Sequence, residues 1–186
     1  MDNSRNMNFI TNLWEEHEIN ESIKKLASKI NSDYEHINIV NLVPVLTGAL
    51  FFSAKLISEL EFLSPGKWKV IPIMSSSYFN SYESTEPDII MVRDFEKRLD
   101  IDSPCLIIDD ILDSGLTIHR IKELLNGLTN QTTSVVVMVD KTIKRAVDIT
   151  PDYYGFRLEK DLWLVGFGMD DKGLYRGLRY IGYVTV

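Results

Sequence analysis

The sequence predicts an α/β fold, a parallel sheet with flanking helices, on two observations. Short apolar, β-branched-rich runs (Ile37 to Val45, Cys105 to Ile108, Ser134 to Val139) read as buried strands. Segments with helical spacing of apolar residues lie between them. Strands alternating with helices build a parallel sheet, and ligands of such sheets bind at the carboxyl ends of the strands. Three breaks fall there: after Val45, after Ile108 and after Val139.

The elements follow in order. Residues 1–12 are polar, lack a period and are expected to fray. Ile19, Ile23, Leu26 and Ile30 keep helical spacing. The strand Ile37 to Val45 ends at Pro44-Val45-Leu46-Thr47-Gly48, a loop-like break, and a helix follows from Ala49 to Leu60. Trp68 to Met74 is the next strand and leads into Ser75-Ser76-Ser77-Tyr78. Residues 79–88 are polar and rich in breakers, long for a connection and suited equally to a lid or to a disordered hairpin tip, and Ile89 to Val92 returns as a short strand. After Cys105 to Ile108 a helix runs from Thr117 to about Leu128, then the strand Ser134 to Val139, ending at Asp140-Lys141. Pro151 to Phe156 is marked by Pro, Gly and Tyr, and Trp163 to Phe167 and Ile181 to Val186 are the last strands.

The bulk numbers bound the function. A chain of 186 residues, 45% hydrophobic and 25% charged, fits one globular domain with a sizeable core. A net charge of −7 argues against a broad nucleic-acid surface but leaves room for a local basic pocket. The one cysteine, Cys105, excludes an intrachain disulfide and a cysteine-based zinc cluster, and His17, His36 and His119 are scattered. No stretch resembles a signal peptide and no apolar run approaches a membrane span, so a cytoplasmic enzyme without a membrane partner is expected.

The chemistry concentrates in Ile107-Ile108-Asp109-Asp110-Ile111-Leu112-Asp113-Ser114-Gly115-Leu116-Thr117. An apolar strand ends in two adjacent acids, and a third acid opens a small-residue turn before a helix. Free backbone N–H groups at such a helix mouth bind phosphate. The acids are hard oxygen ligands for Mg²⁺ or partners for sugar hydroxyls. A phosphorylated sugar or nucleotide fits that combination. Receiver domains also gather acids at strand ends, but near the chain start. No phosphate-binding P-loop, dinucleotide fingerprint or nucleophile elbow occurs.

The stretch Ile108 to Thr117 resembles the phosphoribosyl-pyrophosphate (PRPP) motif of phosphoribosyltransferases. Pro151 to Phe156, Val165 to Asp170, Tyr175-Arg176 and Tyr180-Ile181-Gly182 are similar to the C-terminal part of the hypoxanthine-guanine members, and Ser77-Tyr78 to the start of their mobile catalytic loop. The similarity runs from about Glu15 to the C-terminus. It implies a single phosphoribosyltransferase domain over 1–186, with a core at about 35–150 and a small hood from about 1–20 and 151–186. It also implies transfer of phosphoribosyl from PRPP to N9 of hypoxanthine or guanine in purine salvage, with Mg²⁺ as cofactor. A homodimer or homotetramer is expected, with no nucleic acid bound. Transfer to xanthine, or a non-catalytic nucleotide-sensing regulator on the same fold, are the alternatives.

By that resemblance Asp113 is the general acid/base at purine N7. Asp113, Ser114, Gly115, Leu116 and Thr117 would hold the 5′-phosphate, and Asp109 and Asp110 the ribose hydroxyls, directly or through Mg²⁺. Lys141 would contact purine O6, Trp163 would stack on the base and Leu164 would meet its edge. Asp170 would lie at the purine and help place a second Mg²⁺; Arg176 would bind pyrophosphate. Leu46-Thr47-Gly48 matches a pyrophosphate loop that usually reads Leu-Lys-Gly and contains a non-proline cis peptide bond. Thr47 therefore removes one cation from a polyanion site, and weaker PRPP or pyrophosphate affinity is expected.

Overall fold

The computed structural model describes residues 9–76 and 87–185. Ser77 and Tyr78 lie outside the described residues. The elements are β1 (Phe9–Trp14), α1 (Glu16–Asp33), β2 (Val40–Leu46), α2 (Leu50–Leu63), β3 (Trp68–Val70), β4 (Ile73–Ser76), β5 (Asp88–Met91), α3 (Phe95–Arg98), β6 (Cys105–Leu112), α4 (Leu116–Leu128), β7 (Thr133–Lys141), β8 (Tyr153–Leu158), β9 (Leu164–Val165) and β10 (Ile181–Thr185).

The main sheet has seven strands in the order β5-β4-β2-β6-β7-β8, with β3 also on β2. It is parallel except for β5, which returns antiparallel to β4. Its central strands are apolar on both faces, as a sheet covered on both sides requires. Leu42, Leu106, Ile108, Val136 and Met138 face α1 and α2. Their strand neighbours Val43, Val45, Ile107, Val135 and Val137 face α4 and the single turn α3. The period of two in the strands thus feeds two cores, one on each face. Among the described residues no helix is long and apolar enough to cross a membrane.

Several elements differ from the expectation. The strand expected over Trp68 to Met74 is two strands, interrupted at Ile71-Pro72, because proline cannot donate to a ladder. The acids Asp109 and Asp110 lie inside β6 rather than after it. Part of the segment expected to fray, Phe9 to Asn12, is β1, paired antiparallel with β10. Its partner is far away in sequence, so no local pattern announces it.

β8 is the larger correction. Tyr153–Leu158 pairs parallel with β7 in the main sheet, so the core extends past 150 and the hood does not begin there. Glycine sits inside this strand because β7 and α1 both press closely on it. A Cβ at Gly155 would lie 2.8 Å from the Met138 carbonyl oxygen and 2.9 Å from Ser22 Oγ. The second sheet is built from both ends of the chain, in the order β1-β10-β9, all antiparallel.

Candidate active site

β2, β6 and β7 run parallel and side by side, so the loops that follow them share one edge of the sheet. A cavity of about 500 Å³ opens there. One wall is the end of β6 and the turn into α4, a second is the loop after β2, and a third is the 162–176 segment around β9.

The acidic pair is buried, each residue about 7% exposed. The N–H of Asp110 donates to Asp109 Oδ1 at 2.9 Å, and the N–H of Ile111 donates to Asp110 Oδ1 at 3.0 Å. Burial, and then the adjacent Asp110 charge, push the Asp109 carboxyl well above the usual carboxylate range. Burial also raises Asp110, against the lowering effects of its hydrogen bond with Asp109 and the charge of Arg176.

The turn 112–117 is clamped from behind. Gly115 takes φ +86°, and a Cβ there would meet Ile149 at 2.6 Å. The N–H of Ala146 donates to the Ser114 carbonyl at 2.8 Å, and Arg145 Nη1 donates to the Leu112 carbonyl at 3.1 Å. Arg145 is itself held by Asp140, a carboxylate 1% exposed, at 2.5 Å. The turn therefore presents its N–H groups at the N-terminus of the 13-residue helix α4 in a fixed shape. Gly115, not Asp113, occupies the helix cap. Asp113 instead accepts a bond from Lys141 Nζ at 3.2 Å through Oδ2, and its Oδ1 is buried without a partner.

The loop after β2 is pressed between two walls. The Leu46-Thr47 peptide bond is cis. A Cβ on Gly48 would lie 2.6 Å from both Asp110 carboxylate oxygens, and one on Gly168, at φ +109°, would overlap the Gly48 carbonyl oxygen. Glycine is needed at both positions for the loop, the acid pair and the 166–169 turn to meet. Thr47 is exposed on the cavity side. Across the cavity Trp163 is 58% exposed, beside Leu164, which is buried.

The phosphoribosyl transferase domain model matches residues 10–172. The chain belongs to the phosphoribosyl transferase family. The Bacillus subtilis hypoxanthine-guanine phosphoribosyltransferase is 33% identical over 90% of this chain and 88% of its own length. The Salmonella typhimurium hypoxanthine phosphoribosyltransferase is 30% identical over 92% of this chain and 93% of its own. The solved structure of Trypanosoma cruzi hypoxanthine phosphoribosyl transferase superposes with a TM-score of 0.82 at 28% identity, covering 94% of this chain and 91% of that one.

In this phosphoribosyl transferase the cavity gathers Leu46, Thr47, Gly48, Asp109, Asp110, Asp113, Ser114, Gly115, Thr117, Lys141, Trp163, Leu164, Asp170 and Arg176. Leu116 opens α4 just behind this wall, its N–H bonded to Ser114 Oγ at 3.4 Å. Two of the expected ligand groups are already engaged with each other. Arg176 Nη2 lies 2.5 Å from Asp170 Oδ1, and Asp170 Oδ2 accepts the N–H of Gly173 at 2.6 Å. A sequence reading also misses Asp161, whose Oδ1 lies 3.2 Å from Lys141 Nζ. Asp161 sits in an irregular connection with no periodic signal, so only the fold reveals it. Asp140 and Arg145 escape for the same reason, because their pairing depends on how the segment after β7 folds back.

Proposed function

We propose that this transferase moves the 5-phosphoribosyl group of PRPP to N9 of hypoxanthine or guanine, giving IMP or GMP and pyrophosphate, as a cytoplasmic purine salvage enzyme. The observation that carries the reading is the contact of Lys141 with Asp113, which joins a phosphate-and-carboxylate wall to a wall bearing an ammonium and an exposed indole.

The residues divide the work. The turn Ser114 to Thr117 and the N-terminus of α4 bind the 5′-phosphate with fixed N–H donors. Trp163 stacks on the base, a contact of about 1–3 kcal/mol. Lys141 donates to O6, which selects an oxo group over the amino donor of adenine. As the N9–C1′ bond forms, the C1′–O bond breaks and its electron pair leaves on pyrophosphate. The purine N–H proton passes from N7 to Asp113, whose Oδ1 is a buried acceptor waiting for a donor. Arg176 takes up the negative charge gathering on pyrophosphate.

Mg²⁺ fits this site. The cavity carries Asp109, Asp110, Asp113 and Asp170 against Lys141 and Arg176 among the described residues, an excess of carboxylate facing a polyanionic substrate. Asp109 and Asp110 are hard oxygen donors whose buried charge a divalent cation would offset. No group of three or more His, Cys, Asp or Glu gathers as a metal cage among the described residues, so the ion would arrive with oxygens of PRPP. Bound there, it would neutralise the pyrophosphate as it leaves. Asp170 would serve a second ion only after leaving Arg176.

Self-association into a dimer or tetramer belongs to the same reading, supported by exposed apolar side chains on α2 (Leu50, Phe51, Phe62) and on β4 and β5 (Met74, Ile90). Sedimentation velocity tests it.

The deciding experiment incubates the protein with PRPP, Mg²⁺ and hypoxanthine, guanine, xanthine or adenine in turn, and follows nucleotide formation. Turnover with hypoxanthine or guanine supports the reading. Turnover with xanthine alone would move the specificity, and no turnover with any 6-oxopurine would leave a non-catalytic nucleotide sensor.

A further inference from the structure

We propose that Asp161 is a positioning residue for Lys141, holding its ammonium at the mouth of the base site while Asp113 changes partners. This rests on the reading of Lys141 as the donor to purine O6.

Lys141 closes β7 with its side chain 5% exposed, and its Nζ lies 3.2 Å from both Asp113 Oδ2 and Asp161 Oδ1. An ammonium has three donors. Two are taken by these carboxylates, and no third acceptor holds it among the described residues. The free donor is the one a purine oxygen can use. The two carboxylates differ in what they are free to do. Asp113 lines the cavity and would take a proton during transfer. Each time it did so, it would stop balancing the charge of a buried lysine. Lysine is a point charge on a flexible four-carbon stem, so an ammonium left with no anion beside it would swing away.

Asp161 supplies the second anchor. It lies in the connection between β8 and β9, directly before Leu162 and Trp163 of the cavity wall. Its other oxygen, Oδ2, is held by Lys144 Nζ at 2.6 Å. Lys144 and then Lys141 hold the Asp161 carboxyl below the usual carboxylate range, so it stays ionised while Asp113 cycles. The order Lys144–Asp161–Lys141–Asp113 therefore runs from solvent to the reacting base, with only its inner end exchanging protons. A plain surface ion pair would account for Lys144 and Asp161 alone. It would not account for the second oxygen reaching a lysine that is 5% exposed.

Steady-state kinetics on Asp161→Asn, Asp161→Glu and Lys141→Ala, singly and combined, test this. Asp161→Asn is expected to raise the purine KM about tenfold with kcat and the PRPP KM within about threefold, as loss of one charge-assisted bond on the base side predicts. Asp161→Glu should restore most of it. In the Lys141→Ala background Asp161→Asn should add nothing. A lysine ammonium ¹H–¹⁵N spectrum, with the Lys141 signal assigned by its loss in Lys141→Ala, gives a readout independent of turnover. Its Lys141 signal should broaden or shift in Asp161→Asn. An unmoved signal, or an equal KM rise in the Lys141→Ala background, overturns the proposal whatever the substrate. A moved signal with a purine KM indifferent to Lys141→Ala sinks the purine reading of Lys141 instead, and leaves Asp161 a structural partner only.

Discussion

Arg176 and Asp170 are bonded to each other, Nη2 to Oδ1 at 2.5 Å, while Arg176 Nη1 donates to the Gly168 carbonyl at 2.5 Å. One guanidinium thus ties the 166–169 turn to the acid expected to help place a metal. The planar fork can serve two acceptors at once, which an ammonium cannot do in the same geometry.

Arg176→Ala is expected to raise the PRPP KM by at least about tenfold, the size of a lost charge-assisted contact to a phosphate group. Arg176→Lys keeps the charge but cannot span Gly168 and Asp170, and should fall between. Initial-rate kinetics at varied PRPP check this, and a Lys variant equal to wild type would show that charge alone matters.

Gly168→Ala brings a methyl group onto the Gly48 carbonyl oxygen at a backbone φ of +109°. A stability loss of at least about 2–3 kcal/mol is expected, seen as a drop in Tm of roughly 5–10 °C. Because the displaced partner is the loop after β2, PRPP affinity should fall with it. Differential scanning calorimetry together with PRPP titration reads both.

Asp113→Asn keeps the shape and removes the carboxylate proposed as proton acceptor. kcat should fall by about 10²–10⁴-fold, with both KM values within severalfold. Intact activity would show that Asp113 neither gives nor takes the proton.

Thr47 is exposed and lines the cavity. Thr47→Lys places a cation on the loop proposed to bind pyrophosphate and should lower the PRPP KM by about tenfold or less. The gain should shrink at high salt. Unchanged PRPP KM and kcat would show that the loop binds through its backbone alone.

Cys105 is fully buried in β6, and burial raises its thiol pKa to about 11. Below pH 9 the thiol is neutral in both folded and unfolded chains, so it adds no pH dependence. Between about 9 and 11 the unfolded chain loses the proton and the folded one retains it, so stability falls as pH rises. Cys105→Ala lacks that loss. The gap in Tm between the two proteins should therefore narrow from pH 9 to 11, measured by circular dichroism melts. A constant gap would mean that the folded thiol ionises normally.

The stretch Asp109 to Thr117 was legible because its chemistry is local. Two acids, a third acid and a small-residue turn lie within nine positions, and one strand–turn–helix unit sets their relation. The central strands were legible too, since β2, β6 and β7 are apolar on both faces. β8 was not, because at the sheet edge it carries Tyr, Gly and Arg, with exposure that follows no period of two and a glycine pressed by β7 and α1. β1 was hidden because its ladder is completed by β10 at the other end of the chain.

The sequence by itself determined the parallel sheet and the strand–turn–helix unit from Asp109 to Thr117, because periodicity and motif spacing are short-range properties, whereas Lys141, Trp163, Leu164, Asp170 and Arg176 were singled out only by the family resemblance. Only the tertiary structure decided which of them touch. It set Arg176 on Asp170, pressed Gly48 between Asp110 and Gly168, and put Lys141 between Asp113 and Asp161. The first is a fold of one connection back on itself; the other two join residues from separate strands and loops, and their distances depend on how the sheet aligns its strand ends, which no local pattern encodes.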